Sequence, residues 1–246
     1  MSATNLGTRI ACGVAAAVMA AAAVGSAGAA DAQGQAPRQP PGMALLARLD
    51  HDTGEFSAPS PLSRRLGELS DVRPITGEQT VVPVLATARG PRGMAWLKVL
   101  LPGRPDGHSG WIRRRATTPA LTPWRLTVRL STRRVTVFYE GRVVRTFLAV
   151  VGKPSTPTPT GDFFVEETVA LAPDQSGAPY ALALSARSNV LQRFDGGPGQ
   201  TALHGVENIG GLPGTAVSHG CVRLATAAIT WLATHITPGV RVTIEP

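Results

Sequence analysis

Cysteine is nearly absent: 246 residues hold two, Cys12 and Cys221. Cys12 falls inside an N-terminal apolar run, so the rest of the chain carries one thiol and can build no internal disulfide framework. Lysine is equally scarce, with Lys98 and Lys153 alone, and the net charge of +8 is therefore almost all arginine. Those arginines are scattered, Arg113-Arg114-Arg115 being the densest run, and no series of aromatics is interleaved with them. The pattern argues against nucleic acid as a partner and for a solvated basic surface, with attraction to an acidic polymer secondary. Beyond residue 30 no apolar run approaches the ~20 residues that a bilayer span requires.

The first thirty residues do hold such a run, but a shorter one. Met1 to Arg9 carries one positive charge, Ile10 to Val24 is uncharged and rich in Ala and Val, and Ala27-Gly28-Ala29 supplies small residues. These are the three parts of a secretion signal, expected over residues 1–30. The apolar core, about 15 residues, is short for a retained anchor. The remainder is expected to act outside the cytoplasm without spanning a membrane. A lone thiol in an oxidising place is vulnerable unless it has a task.

Residues 31–70 read as a flexible or unassigned segment: 31–42 are rich in Gln, Pro, Gly and Ala, and Met43 to Leu69 is broken by Pro59 and Pro61. From Asp71 short apolar runs alternate with turns. Val81-Val82 and Val84-Leu85 precede Arg89-Gly90-Pro91-Arg92-Gly93. Trp96 to Leu100 precedes the Pro/Gly loop 101–107, and Gly110-Trp111-Ile112 closes the series. Short strands between Gly/Pro turns predict a small β-barrel over 71–117. Its tryptophan strand, Pro/Gly loop and Gly-Trp-Ile strand resemble the bacterial Src-homology-3-like modules. Residues 118–123, with two prolines, read as a linker.

Over 124–246 the β signal strengthens. Leu126, Val128 and Leu130 alternate with polar residues, and Val135–Tyr139 and Val143–Val151 flank a turn at Glu140-Gly141-Arg142. Pro154 to Gly161 predicts an extended loop and Asp162 to Glu167 a strand. Leu224, Ala228, Trp231, Leu232 and His235 fall at helical spacing, Pro238-Gly239 stops that helix, and Val240 to Ile244 ends the chain as a strand.

The chemistry-bearing residues lie in two patches, Ala202-Leu203-His204-Gly205 and Ser218-His219-Gly220-Cys221-Val222-Arg223-Leu224, joined by a Gly-rich loop. A thiol near pH 7 is only a few per cent thiolate, and the thiolate is the nucleophile. An imidazole beside it can take the proton and later return it to a leaving amine. Spacing alone leaves both His204 and His219 available as that base. Gly205 permits close backbone approach. Gly220 clears space for the N–H groups of Gly220 and Cys221 to face a developing oxyanion. The helix predicted from near Leu224 would stabilise a thiolate only modestly. A zinc site on His204, His219 and Cys221 lacks a fourth ligand in metal-like spacing. His51, His108 and His235 lie in unrelated contexts.

His204-Gly205 followed by Ser218-His219-Gly220-Cys221-Val222-Arg223-Leu224 resembles the catalytic signature of the L,D-transpeptidases. Gly152-Lys153-Pro154 and Thr158-Pro159-Thr160-Gly161-Asp162-Phe163 upstream resemble the opening of that domain, so the likeness runs from about Trp124 to Pro246. It implies a mainly β, sandwich- or barrel-like catalytic domain with a C-terminal helix, preceded by the small barrel. It further implies Cys221 as nucleophile, His204 as base, the Gly205 carbonyl orienting that base, and His219 shaping the site. Ser218 and Arg223 become substrate contacts, and Arg223 stands where one common family variant has Asn. The implied substrates are peptidoglycan stem peptides, with β-lactams, chiefly carbapenems, as covalent inhibitors. No metal or other cofactor is implied, and the place of work is the periplasm or cell wall. Two other readings follow from the same residues: a cysteine L,D-carboxypeptidase using water as acceptor, and a non-catalytic wall-binding protein.

Overall fold

The computed structural model describes residues 39–193 and 197–246; the secretion signal and most of the expected lead-in lie outside the described residues. Seven strands form the first sheet: β1 (Ala44–Leu49), β2 (Thr53–Phe56), β3 (Arg65–Leu69), β4 (Val81–Arg89), β5 (Ala95–Leu100), β6 (Ser109–Arg113) and β7 (Thr117–Thr122). Their order is β3-β2-β6-β5-β4-β1-β7, antiparallel throughout. Period-two alternation puts Val82, Leu97, Val99 and Ile112 into one core, while Trp96 and Trp111 pack elsewhere with Ala86 and Phe56. Phe56 and Trp96 meet edge-to-face at 5.5 Å.

Two expected boundaries move. Residues 44–69, left unassigned by sequence, supply β1–β3 of this same sheet, because Leu46, Ala47, Leu49 and Leu69 are buried in spite of the prolines between them. Most of the expected linker 118–123 is strand β7, whose backbone pairs with β1 from Ala44↔Thr122 to Leu49↔Thr117.

The second sheet comprises β8 (Trp124–Arg129), β9 (Arg134–Tyr139), β10 (Arg142–Gly152), β11 (Gly161–Ala170), β12 (Tyr180–Arg187), β13 (Gln200–Gly205), β14 (Ala216–Ser218), β15 (Val222–Leu224) and β16 (Arg241–Glu245). The order is β14-β10-β15-β13-β12-β11-β16-β8-β9, and β9 also pairs with β10, so the sheet closes barrel-like on itself. Glu140 and Gly141 both take positive φ, 48° and 79°, as the two-residue turn of the β9–β10 hairpin demands. Helix α1 (Thr226–His235) starts later than its periodicity predicts, because Leu224 is claimed by β15, paired to β10 and β13. It seals the core with Ala228, Ile229 and Leu232, beneath Phe163, Leu182, Leu203 and Val222.

The two sheets are docked by buried contacts. Phe164 of β11 enters the first sheet's core. Arg73 Nη1 pairs with Glu166 at 2.7 Å, both side chains almost wholly buried, and Glu167 accepts hydrogen bonds from the Ile75 and Thr76 backbone. None of the described helices is long and apolar enough to cross a membrane.

Candidate active site

β13 and β15 run side by side and parallel, with Leu203 opposite Val222 and His204 opposite Arg223. Alternation then decides which side chains share a face. Leu203, Val222 and Leu224 point into the core, while His204 and Arg223 line a pocket on the other side. One step back along this register Cys221 falls beside Ala202, whose backbone favours the thiolate form. Two patches separated in sequence by residues 206–217 thus become neighbours on one wall. The pocket, about 70 Å³, is also lined by Ser188, Leu191, Gly199, Gln200, Thr201, Ile209 and His219.

His204 is buried, and its Nδ1 lies 2.8 Å from the carbonyl oxygen of Gly205. A carbonyl can only accept, so Nδ1 carries the proton and Nε2 keeps a free lone pair. Burial holds the imidazole pKa below its ordinary 6.5; the Gly205 carbonyl opposes this and the Arg223 charge adds to it. The other side of the ring is closed by backbone. A Cβ on Gly177 (φ +88°) would sit 2.5 Å from His204 Nδ1, and one on Gly205 would sit 1.9 Å from the Ala178 carbonyl oxygen. Gly205 N–H donates to Gly177 O at 2.8 Å, locking the two glycine segments together.

The turn before Cys221 is built by Ser218. Its hydroxyl donates to Cys221 O at 2.6 Å and accepts from Gly220 N–H at 3.2 Å. Two expectations change here. Ser218 is wholly buried and spends its hydroxyl on the turn, so it is a scaffold residue and not a substrate contact. The Gly220 N–H is likewise occupied by Ser218, and does not stand open as an oxyanion donor; Gly220 serves instead through its φ of +119°. The Pro/Thr loop supports the turn from behind, with Thr156 Oγ1 and Lys153 N–H both donating to Ser218 O, at 3.2 and 3.0 Å. Cys221 is a free thiol, partly open to solvent. Burial pushes its pKa above the ordinary 9.0, with the Ala202 N–H and Arg223 pulling the other way. This desolvation works against the modest thiolate stabilisation expected from the helix.

His219 is exposed, and its Nε2 accepts from Lys153 Nζ at 3.4 Å, since an ammonium can only donate. Arg223 is 6% exposed and donates through Nη1 to Ile209 O (3.2 Å) and Gly210 O (3.1 Å). Its Nε is buried without a partner, and no carboxylate pairs with it among the described residues. Sequence reasoning did not find Gly177, Thr156 or the wall of Ser188, Leu191, Gly199, Gln200 and Thr201; no periodicity or motif marks them, because their roles come from what the fold brings near. Among the described residues no group of three His, Cys, Asp or Glu is placed to hold a metal ion.

Residues 123–244 match the YkuD family model, described as the L,D-transpeptidase catalytic domain. The chain is 30% identical over 147 residues to a Bacillus subtilis protein that bears the name "Putative L,D-transpeptidase YkuD", covering 60% of this chain and 74% of that one. A Bacillus licheniformis protein of the same name is 32% identical over 130 residues, covering 52% and 69%. Among solved structures, L,D-transpeptidase 3 of Mycobacterium tuberculosis with a faropenem-derived adduct is similar at 16% identity and a TM-score of 0.44, covering 68% of this chain and 91% of that one.

Proposed function

The chain belongs to the L,D-transpeptidase family, and from that premise we propose that it cross-links peptidoglycan stem peptides through a thioester on Cys221. His204 Nε2 takes the thiol proton as sulfur attacks the carbonyl carbon at the L-centre of the third residue of a tetrapeptide stem. The Cys221 N–H and the Arg223 charge stabilise the oxyanion. The C–N bond breaks, the terminal D-Ala leaves with the proton returned by His204, and the acyl group stays on sulfur. The side-chain amine of a diamino acid on a second stem attacks the thioester and gives its proton to His204. The thiolate leaves and recovers that proton. No metal or external energy source enters this balance.

The observation that carries the reading is the hydrogen bond from His204 Nδ1 to Gly205 O, which aims a neutral Nε2 into the pocket that Cys221 lines. His219 and Lys153 at the mouth, and the unpaired edge of Arg223 inside, favour an anionic substrate such as a stem peptide with its carboxylates. The same thiol would be acylated by carbapenems, and the working place is the periplasm or wall.

Intact-mass measurement after incubation with a carbapenem tests the assignment: one adduct is expected on the native protein and none on Cys221→Ala. An adduct surviving in Cys221→Ala would place the nucleophile elsewhere. Incubating a tetrapeptide stem with and without an amine acceptor separates transfer from hydrolysis, since tripeptide as the sole product would mean water is the acceptor.

A further inference from the structure

One wall of the pocket comes from the connection between β12 and β13 and the start of β13, through Ser188, Leu191, Gly199 and Gln200. Internally it is held by a few short-range bonds. Ser188 N–H donates to Gly199 O at 2.8 Å, and the Ser188 hydroxyl accepts from the N–H groups of Val190 and Leu191. Within the barrel Gln200 Nε2 donates to Leu184 O at 2.9 Å. Further anchoring comes from the first sheet's half, through the loop between β5 and β6.

Arg104 reaches across from that loop and donates to two carbonyls at once, Ser188 O at 2.7 Å and Pro198 O at 3.1 Å. The two acceptors stand at the start and near the end of the connection, so a single planar guanidinium fixes their separation. Asp106 Oδ1 accepts the Arg187 N–H at 2.9 Å, and Gly103 N–H donates to Ser185 O at 3.3 Å. Arg187 itself is held from below. Its Nη2 pairs with Glu166 at 2.9 Å, and Glu166 pairs in turn with Arg73 of the first sheet's half. The residues flanking the wall are therefore gripped at two levels, at the surface by the β5–β6 loop and in the interior by Glu166 of β11, which Arg73 pairs from the first sheet's half.

We propose that Arg104, with Asp106, is a positioning residue that sets the width of the substrate wall, so that the first sheet takes part in stem-peptide binding without touching substrate. The proposal rests on the transpeptidase reading of the pocket. A wall that loosens should weaken ground-state binding of the stem while Cys221 and His204, held by β13, β15 and Gly205, keep their chemistry.

The test is steady-state kinetics on the full chain with a tetrapeptide donor, comparing native protein, Arg104→Ala and Arg104→Lys. Amide hydrogen exchange is followed at Ser188–Leu191 and at α1. Arg104→Ala is expected to raise KM about three- to tenfold with kcat within about twofold, the pattern of lost uniform binding. Exchange should quicken at Ser188–Leu191 and stay unchanged at α1. Arg104→Lys, which cannot span both carbonyls, should recover only part of the loss. An unchanged KM, or kcat, KM and α1 protection failing together as in general destabilisation, would overturn the proposal. Should the native protein itself fail to turn over the stem peptide, the functional reading fails first; the exchange comparison still tells whether Arg104 holds the wall.

Discussion

His204 Nδ1 lies 2.8 Å from the carbonyl oxygen of Gly205, its own neighbour in the chain. That contact settles the tautomer with a backbone atom, so no carboxylate has to be buried beside the imidazole to orient it. Burial holds the ring's pKa down against that bond, and the first prediction follows.

His204 has its pKa below 6.5 in the folded protein, chiefly through burial. A depressed histidine pKa means the unfolded chain binds the proton more readily, so its contribution to stability is present above pH 6.5 and is lost as pH falls through and below that value. Activity that needs neutral His204 should likewise persist below pH 6.5 before it declines. The acid limb of kcat/KM is expected at a midpoint under 6.5; a midpoint at or above it would contradict the burial.

Arg223 lowers the pKa of both His204 and Cys221 by its charge. In Arg223→Met the acid limb should therefore move to higher pH, and thiol alkylation by a neutral reagent should need a more alkaline medium. Because Arg223 also clasps Ile209 O and Gly210 O, the loop carrying them should exchange faster. An acid limb moving to lower pH would show that Arg223 does not act on His204 by charge.

Gly177 has no room for a methyl group: its Cβ would stand 2.5 Å from His204 Nδ1, at a φ of +88°. Gly177→Ala is expected to displace the imidazole and cut kcat by about 10²-fold, the scale of an ångström's misplacement of a catalytic group. Stability should fall by only about 1–2 kcal/mol for the left-handed backbone. Single-turnover acylation with a stem peptide separates the two effects.

Glu166 sits between Arg73 and Arg187 with 3% of its side chain exposed. Glu166→Gln leaves two poorly solvated guanidinium groups facing a neutral amide, and breaking such a buried arrangement costs about 3–5 kcal/mol. At roughly 2–4 °C per kcal/mol for a chain of this size, the drop in Tm is readily seen by calorimetry. A shift under about 2 °C would mean the network contributes little to holding the sheets together.

The barrel's strands were legible where one face is buried: the alternation of Leu126 with Val128, and the Glu140-Gly141 turn, both appear as the sequence reads. Strands β1–β3 were not, because Pro59, Pro61 and the glycines hide four core residues whose burial depends on partners far along the chain. The helix start was misjudged for a related reason. Leu224 fits the helical period, but it earns more by pairing in β15 between β10 and β13.

By itself the sequence supplied the candidate groups: Cys221, a histidine two residues before it, another seventeen before it, and glycines where the backbone must turn. These are local properties, fixed by residue type and spacing. Only the tertiary structure decided how they are used. Parallel pairing of β13 with β15 puts His204, Arg223 and the Cys221 edge on one face, because side chains alternate and register is set by backbone hydrogen bonds. The same packing commits Ser218 to the turn, wedges Gly177 against the imidazole, and lets Arg104, eighty-four residues from Ser188, grip the pocket wall. No local pattern announces such contacts, since each depends on which surfaces the closed sheet brings together.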